Sequence, residues 1–232
     1  MRVAVLQFPG SNCDQDALWA LRADLVYQAE YVWHESDSLD GFDAAFVPGG
    51  FTYGDYLRCG AIAAQSPIVG ALKRFAEEGR PVIGVCNGFQ ILCEAGLLPG
   101  ALLLNASQKF VCRTITLKAV NRTSMWTRGA DGLMNVPVAH GEGRYVCDQE
   151  TLKGLQDGDR IAFLYVDDKG MPTPESNPNG STANIAGVVN QAGNVLGMMP
   201  HPERATRNLL GSSDGLVILR ALDLVSTGYK TR

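Results

Sequence analysis

Short apolar or β-branched runs recur through the first half of the chain at residues 3–6, 44–47 and 82–85, and 30–33 reads as a further strand. Runs of four residues with little polar alternation predict strands buried in a parallel sheet. Helical patterning falls between them. Asp14 or Asp16 is placed to cap a helix running to about Val26, and Ser66-Pro67 reads as N-cap and first residue of a helix ending near Gly79. After residue 85 the period changes: Phe89, Ile91, Leu92 and Ala95 share one helical face, and Gly96 is placed to stop the helix.

The second half has a different pattern. Residues 110–120 alternate in character (Val111, Arg113, Ile115, Leu117), which predicts a half-exposed strand. Further strands are expected at 132–138, 143–146, 160–166, 185–189 and 195–199, with an exposed Pro/Asn/Gly-rich loop over 170–181. Asp214 is placed to cap a last helix over 215–225 that carries Leu216, Leu219, Leu222 and Leu224. With no repeat or linker in sight, the expectation is one α/β domain over 1–232. It should have a mostly parallel central sheet, helices on both faces and added antiparallel strands in the second half.

The candidate chemistry centres on Gly84-Val85-Cys86-Asn87-Gly88, at the junction of a predicted strand and helix. This is the nucleophile-elbow pattern with sulfur in place of oxygen. The helix N-terminus favours negative charge on Cys86, and the alternative is a small buried cysteine ending a core strand. A cysteine nucleophile needs a base with an orienting partner. Of the three histidines, His201 lies in Pro200-His201-Pro202-Glu203 just after a predicted strand. The prolines stiffen that loop, and Glu203 can fix the ring's tautomer. Asn87 N–H is the standard first oxyanion donor of an elbow, and the Gly49-Gly50 loop can present a second. His140-Gly141-Glu142 with His201 and Glu203 could instead ligate a metal, but no third histidine or ligand-spaced cysteine completes such a set. The chain has no P-loop.

Composition narrows the setting. The chain has 232 residues, 46% of them hydrophobic, and a net charge of −4 without a basic run. It can bury a full core and is not expected to bind nucleic acid. Six scattered cysteines, no secretory segment and no membrane-length apolar run point to a reducing, cytoplasmic setting.

Pro48-Gly-Gly50, Gly84-Val-Cys-Asn-Gly-Phe-Gln90 and Pro200-His-Pro-Glu203 resemble the triad-type (class I) glutamine amidotransferases, whose core is flavodoxin-like. The stretches 8–14, 49–60, 137–143 and 194–204 extend the resemblance to the stand-alone glutaminase subunits of phosphoribosylformylglycinamidine synthase. The resemblance implies Cys86 as nucleophile, His201 as base and acid, Glu203 as orienter, and an oxyanion site between Gly50 and Asn87. It also implies that Gln90, His140 and Gly141 contact the substrate glutamine, with a structural role for His140 as the competing reading. Arg58 and Tyr53 are candidates for a partner surface or for local contacts. No cofactor is expected in this chain. ATP and Mg would serve a large synthetase subunit acting on formylglycinamide ribonucleotide, with a small bridging subunit as third partner. The alternatives are an amidotransferase subunit for another pathway and a PfpI-type cysteine hydrolase of similar fold, which typically carries histidine directly after the elbow cysteine, where this chain has Asn87.

Overall fold

The computed structural model describes residues 1–121 and 123–226. Its first half follows the apolar runs closely. Strands β1 (Arg2–Gln7), β2 (Gln28–Trp33), β3 (Ala44–Val47) and β4 (Val82–Val85) alternate with helices α1 (Asp14–Trp19) and α2 (Pro67–Glu77), and α3 (Asn87–Glu94) follows β4. The second half supplies β5 (Ala101–Leu103), β6 (Val111–Ala119), β7 (Leu133–His140), β8 (Arg144–Val146), α4 (Gln149–Asp157) and β9 (Ile161–Val166). It ends with β10 (Ile185–Val189), β11 (Val195–Met198), α5 (Gly215–Leu219) and α6 (Asp223–Ser226).

A nine-stranded sheet runs in the order β2-β1-β3-β4-β11-β10-β9-β6-β7, and β5 pairs separately with β8. The pairings from β2 through β11 are parallel, and those from β11 out to β7 are antiparallel. The fold is thus a mixed sheet, parallel where the early apolar runs lie and antiparallel beyond. β3, β4, β10 and β11 are buried throughout, as strands covered on both faces must be.

The centre of the sheet holds a pair of glycines opposite each other, Gly84 of β4 and Gly197 of β11. A Cβ on Gly84 would lie 2.4 Å from Leu92, and one on Gly197 would lie 2.1 Å from Phe89. Both contacts are with α3. The missing side chains therefore let α3 settle against the sheet, which fixes the turn that precedes it.

Several sequence expectations differ in detail. Neither Asp14 nor Asp16 caps α1: Cys13 holds the N-cap position. Asp14 accepts from Gln7 Nε2 at 2.7 Å, and Asp16 pairs with Arg204 at 2.8 Å, so tertiary partners take both carboxylates. The helix also stops being α-helical at Trp19 and passes into a π-type turn over Ala20–Asp24. Ser66 precedes α2 as expected, but its hydroxyl meets Tyr53 instead of capping. Asp214 likewise accepts from the backbone N–H of Asn135 at 2.7 Å, leaving the last helix without a side-chain cap and broken by a 3₁₀ turn at Arg220–Leu222.

Two elements had no sequence signal: α4, whose one buried residue is Leu155, and the three-residue β5. The loop over 170–181 is not wholly exposed, since Asn179 and Ser181 are buried. Among the described residues, no helix is long and apolar enough to cross a membrane.

Candidate active site

The parallel strands deliver the candidate residues to one edge. Val85 of β4 is in register with Met198 of β11, and Gly84 with Val47 of β3. The loops carrying Cys86, His201 and Gly49-Gly50 thus leave the sheet side by side, at the strand ends where open α/β folds place ligands. Cys86 has φ 52° and ψ −107°. This conformation is uncommon for a residue with a Cβ and costs on the order of 1–3 kcal/mol. Its neighbours hold it there. Cys86 N–H donates to Met198 O at 2.8 Å, and Cys86 O accepts from Gln90 N–H at 3.2 Å. A Cβ on Gly88 would fall 1.9 Å from Val47 O, so only glycine fits where the elbow passes β3.

His201 is fixed from both sides. Its N–H donates to Pro137 O at 2.9 Å, and Pro202 opens a 3₁₀ turn over Pro202–Arg204 that brings Glu203 back to the ring. His201 Nδ1 lies 2.6 Å from Glu203 Oε1, with the two residues 1% and 2% exposed. Nδ1–H therefore donates to the carboxylate, and Nε2 is left buried without a hydrogen-bond partner. Burial alone would lower the imidazole's pKa, but the Glu203 carboxylate and the Cys86 sulfur outweigh it and raise the value to about 10. A Cβ on Gly49 would lie 2.8 Å from His201 Cε1 and 3.3 Å from Cys86 Cβ, so the glycine loop packs against both groups. Neither Gly50 N–H nor Asn87 N–H donates to a backbone carbonyl among the described residues.

A cavity of about 350 Å³ opens over these groups, lined by Cys86, His201, Gly50, Gln90, His140 and Gly141 among others. Asn87 and Glu203 lie beneath this lining, both buried. Gln90 faces the cavity with its amide already engaged: its Oε1 accepts from Asn87 Nδ2 at 2.8 Å, and its Nε2 donates to Glu142 O at 2.6 Å. His140 is held in the same way. Asn105 Nδ2 donates to two carbonyls, so Asn105 Oδ1 is free to accept from His140 Nδ1–H at 3.1 Å and from Gly143 N–H at 3.0 Å. Nε2 then faces Asn179 Nδ2 at 3.5 Å. Burial, helped by the charge of His201, lowers the pKa of His140 to about 4. His140 is therefore a neutral wall residue, and the ring nitrogens a metal would need are already committed.

Sequence reasoning missed Asn105 and Asn179, which hold His140. Cys13, Asp55, Cys59 and Arg204 also line the cavity wall; they lie in the motif stretches, but nothing in those stretches assigns them a role, and Glu142 reads there only as a possible metal ligand. Asn105 and Asn179 lie in no such stretch. Tyr53 and Arg58 have local partners: Tyr53 reaches His34 at 3.0 Å, and Arg58 pairs with Glu94 at 2.6 Å.

A thiol on a strained elbow, packed against a carboxylate-bound imidazole and the Gly49-Gly50 loop, is equipped for acyl transfer from an amide. Fold and site together fit an amide-cleaving enzyme on an open α/β sheet. The chain belongs to the CobB/CobQ-like glutamine amidotransferase domain family, whose model matches residues 1–214. It is similar to a chain in the structure of PurLQS from Thermotoga maritima, with 41% identity and a TM-score of 0.84 over 96% of this chain and 97% of that one. A glutamine amidotransferase from the same organism shares the fold at 14% identity, with a TM-score of 0.58 over 100% of this chain and 87% of that one.

Proposed function

We propose that this chain is the glutaminase subunit of a phosphoribosylformylglycinamidine synthase. The observation that carries the reading is the 41% identity to a chain of PurLQS over nearly the full length of both. The Cys86 thiolate attacks the side-chain amide carbon of glutamine, and the oxyanion is received by the N–H groups of Gly50 and Asn87. Imidazolium at His201, held in one orientation by Glu203, gives its proton to the departing ammonia. Neutral His201 then takes a proton from water, which hydrolyses the γ-glutamyl thioester to glutamate and restores the thiolate–imidazolium pair. Gln90 braces the elbow helix against the 141–143 loop, while His140 and Gly141 shape the wall that meets the amino-acid end of the substrate.

Exposed apolar side chains surround the mouth of the cavity, among them Phe51, Leu104 and Phe110. A synthetase subunit seated over this rim would receive the ammonia before it reaches solvent and would carry the ATP- and Mg-dependent step on formylglycinamide ribonucleotide. A small subunit would bridge the two. The free thiols of all six cysteines fit a reducing, cytoplasmic setting.

The test is ammonia release from glutamine by wild type and Cys86→Ala, alone and with the candidate synthetase, ATP and formylglycinamide ribonucleotide. Release that rises with the partner and vanishes in Cys86→Ala is the expected result. Release indifferent to that partner would assign the chain to another synthetase.

A further inference from the structure

Glu203 holds its imidazole with one oxygen only. Oε1 takes His201 Nδ1–H at 2.6 Å, while Oε2 is buried and has no hydrogen-bond partner. As long as the ring is protonated, the two charges offset each other. Amide cleavage removes that offset once in each turnover. When the His201 proton passes to the departing nitrogen as the C–N bond breaks, a neutral ring is left beside a buried carboxylate. A buried charge without a counter-charge is strongly disfavoured, and this would keep the proton on the ring.

The next residue supplies a second cation. Arg204 donates from Nε to Asp16 Oδ2 at 2.8 Å and from Nη2 to Cys13 Sγ at 3.1 Å. Cys13 holds the N-cap position of α1, and its sulfur stands beside the imidazole: a Cβ on Gly49 would lie 3.2 Å from Cys13 Sγ and 2.8 Å from His201 Cε1. The guanidinium is thus pinned at the edge of the site against a sulfur that carries no charge. Burial, and then the Glu203 charge, push the Cys13 thiol up to about 12. Asp16 is the contact counter-ion, but its side chain is 46% exposed, where water screens it. Burial works against the Arg204 charge, and Cys13, Glu203 and Asp16 more than restore it.

The remaining charged groups on elements packed against this turn are engaged elsewhere. Asp14 accepts from Gln7, Arg22 donates to Ala29 O, Asp24 pairs with Arg207, and Asp214 takes the N–H of Asn135. His140 of β7 is neutral. Besides Cys13, the titratable neighbours left to the His201–Glu203 pair are the Cys86 sulfur and Arg204.

We propose that Arg204 is a positioning residue for the cleavage step: its charge shares the Glu203 carboxylate with His201, so that the ring can release its proton to the leaving nitrogen. This rests on the glutaminase reading of the site. The effect is opposite in sign to that of Glu203, which binds the proton to the ring, and the two together set how readily the proton leaves.

The experiment uses Arg204→Gln, Arg204→Met and Arg204→Lys, with circular dichroism to select the variants that fold. Each is assayed for ammonia release from glutamine in complex with the synthetase, and for alkylation of Cys86 by iodoacetamide against pH with mass mapping. The alkylation profile breaks where His201 loses its proton, near pH 10 in wild type. Both neutral variants should lower kcat about tenfold with KM changed less than about twofold, and should move the break up by about one pH unit. Arg204→Lys should restore both. A turn that was merely loosened would weaken the His201–Glu203 contact and move the break down, so the direction of the shift separates a charge effect from a structural one. A break that stays or falls in a folded neutral variant, or that Arg204→Lys fails to restore, would overturn the assignment and leave the glutaminase reading standing. If wild type releases no ammonia under any condition while the break still rises, the glutaminase reading falls and the coupling of Arg204 to His201 stands.

Discussion

Replacing Glu203 with glutamine tests how His201 is kept charged. The substitution keeps an oxygen acceptor for Nδ1–H and removes the negative charge 2.6 Å from the ring. Opposite charges about 4 Å apart, at an effective dielectric of about 20, attract by about 4 kcal/mol. That is worth about three pH units on the imidazole's titration. His201, whose pKa is about 10 in the native protein, should then titrate near 7, close to its ordinary 6.5. At pH 7.5 the variant holds a mostly neutral ring, the imidazolium is depleted, and glutamine cleavage should fall severalfold. The assay is alkylation of Cys86 by iodoacetamide as a function of pH, followed by mass mapping so that exposed Cys112 does not obscure it. The native profile should break where His201 loses its proton, and in Glu203→Gln that break should move down by about three pH units. Circular dichroism at pH 7.5 checks that the variant is folded. Identical alkylation profiles in the two folded proteins would refute the claim that Glu203 sets the charge on His201.

Two further perturbations have signs that follow from the structure. Gly88→Ala puts a methyl carbon 1.9 Å from Val47 O, so β3 and the elbow must separate. The variant should lose about 2 kcal/mol or more of stability, read as a lowered denaturant midpoint, and should lose most of its glutaminase activity. His140, with a native pKa of about 4, is buried neutral, so its stabilising contribution is complete above its unfolded value of 6.5 and is lost as pH falls toward 4. This amounts to about 3 kcal/mol across that window. His201 has the opposite sign: its contribution is complete below 6.5 and fades as pH rises through about 10. Urea unfolding at pH 4.5, 6.5 and 9 separates the two, because His140→Asn should flatten the acid limb and leave the alkaline limb in place.

The parallel half of the fold was legible because a strand buried on both faces has little freedom in sequence. Val3 to Leu6, Ala44 to Val47 and Val82 to Val85 must be apolar at every position, and each run became a strand with close to the expected ends. The elbow was legible for a related reason. Gly84 and Gly88 are each required by a close contact, with Leu92 and with Val47 O, so their spacing around Cys86 records the geometry directly. Capping was misread because a carboxylate at a helix start has other uses. Asp214 holds an N-cap position and Asp14 and Asp16 lie in the first turn of α1, and all three are bound to groups brought near by the tertiary fold.

The supporting wall was invisible because its residues act through partners far away in the chain. Asn105 lies 35 residues from His140, and Asn179 lies 39 away on the other side. Neither sits in a pattern with a period, and asparagine in a loop ordinarily reads as a turn residue. Yet His140 has to be neutral for the site to work as described. A second imidazolium beside His201 would repel the charge on which the thiolate depends. Burial, helped by the charge of His201, prevents this, while Asn105 orients the ring by accepting from Nδ1–H and anchors Gly143 with the same oxygen, and Asn179 faces Nε2 and donates to Gly143 O at 2.7 Å. The two asparagines thus fix the orientation of one histidine as Glu203 fixes that of the other. One ring is kept neutral by burial and the other is kept positive by a carboxylate. The motif stretches show the two histidines and Glu203, but the asparagines that orient His140 emerge only from the folded contacts.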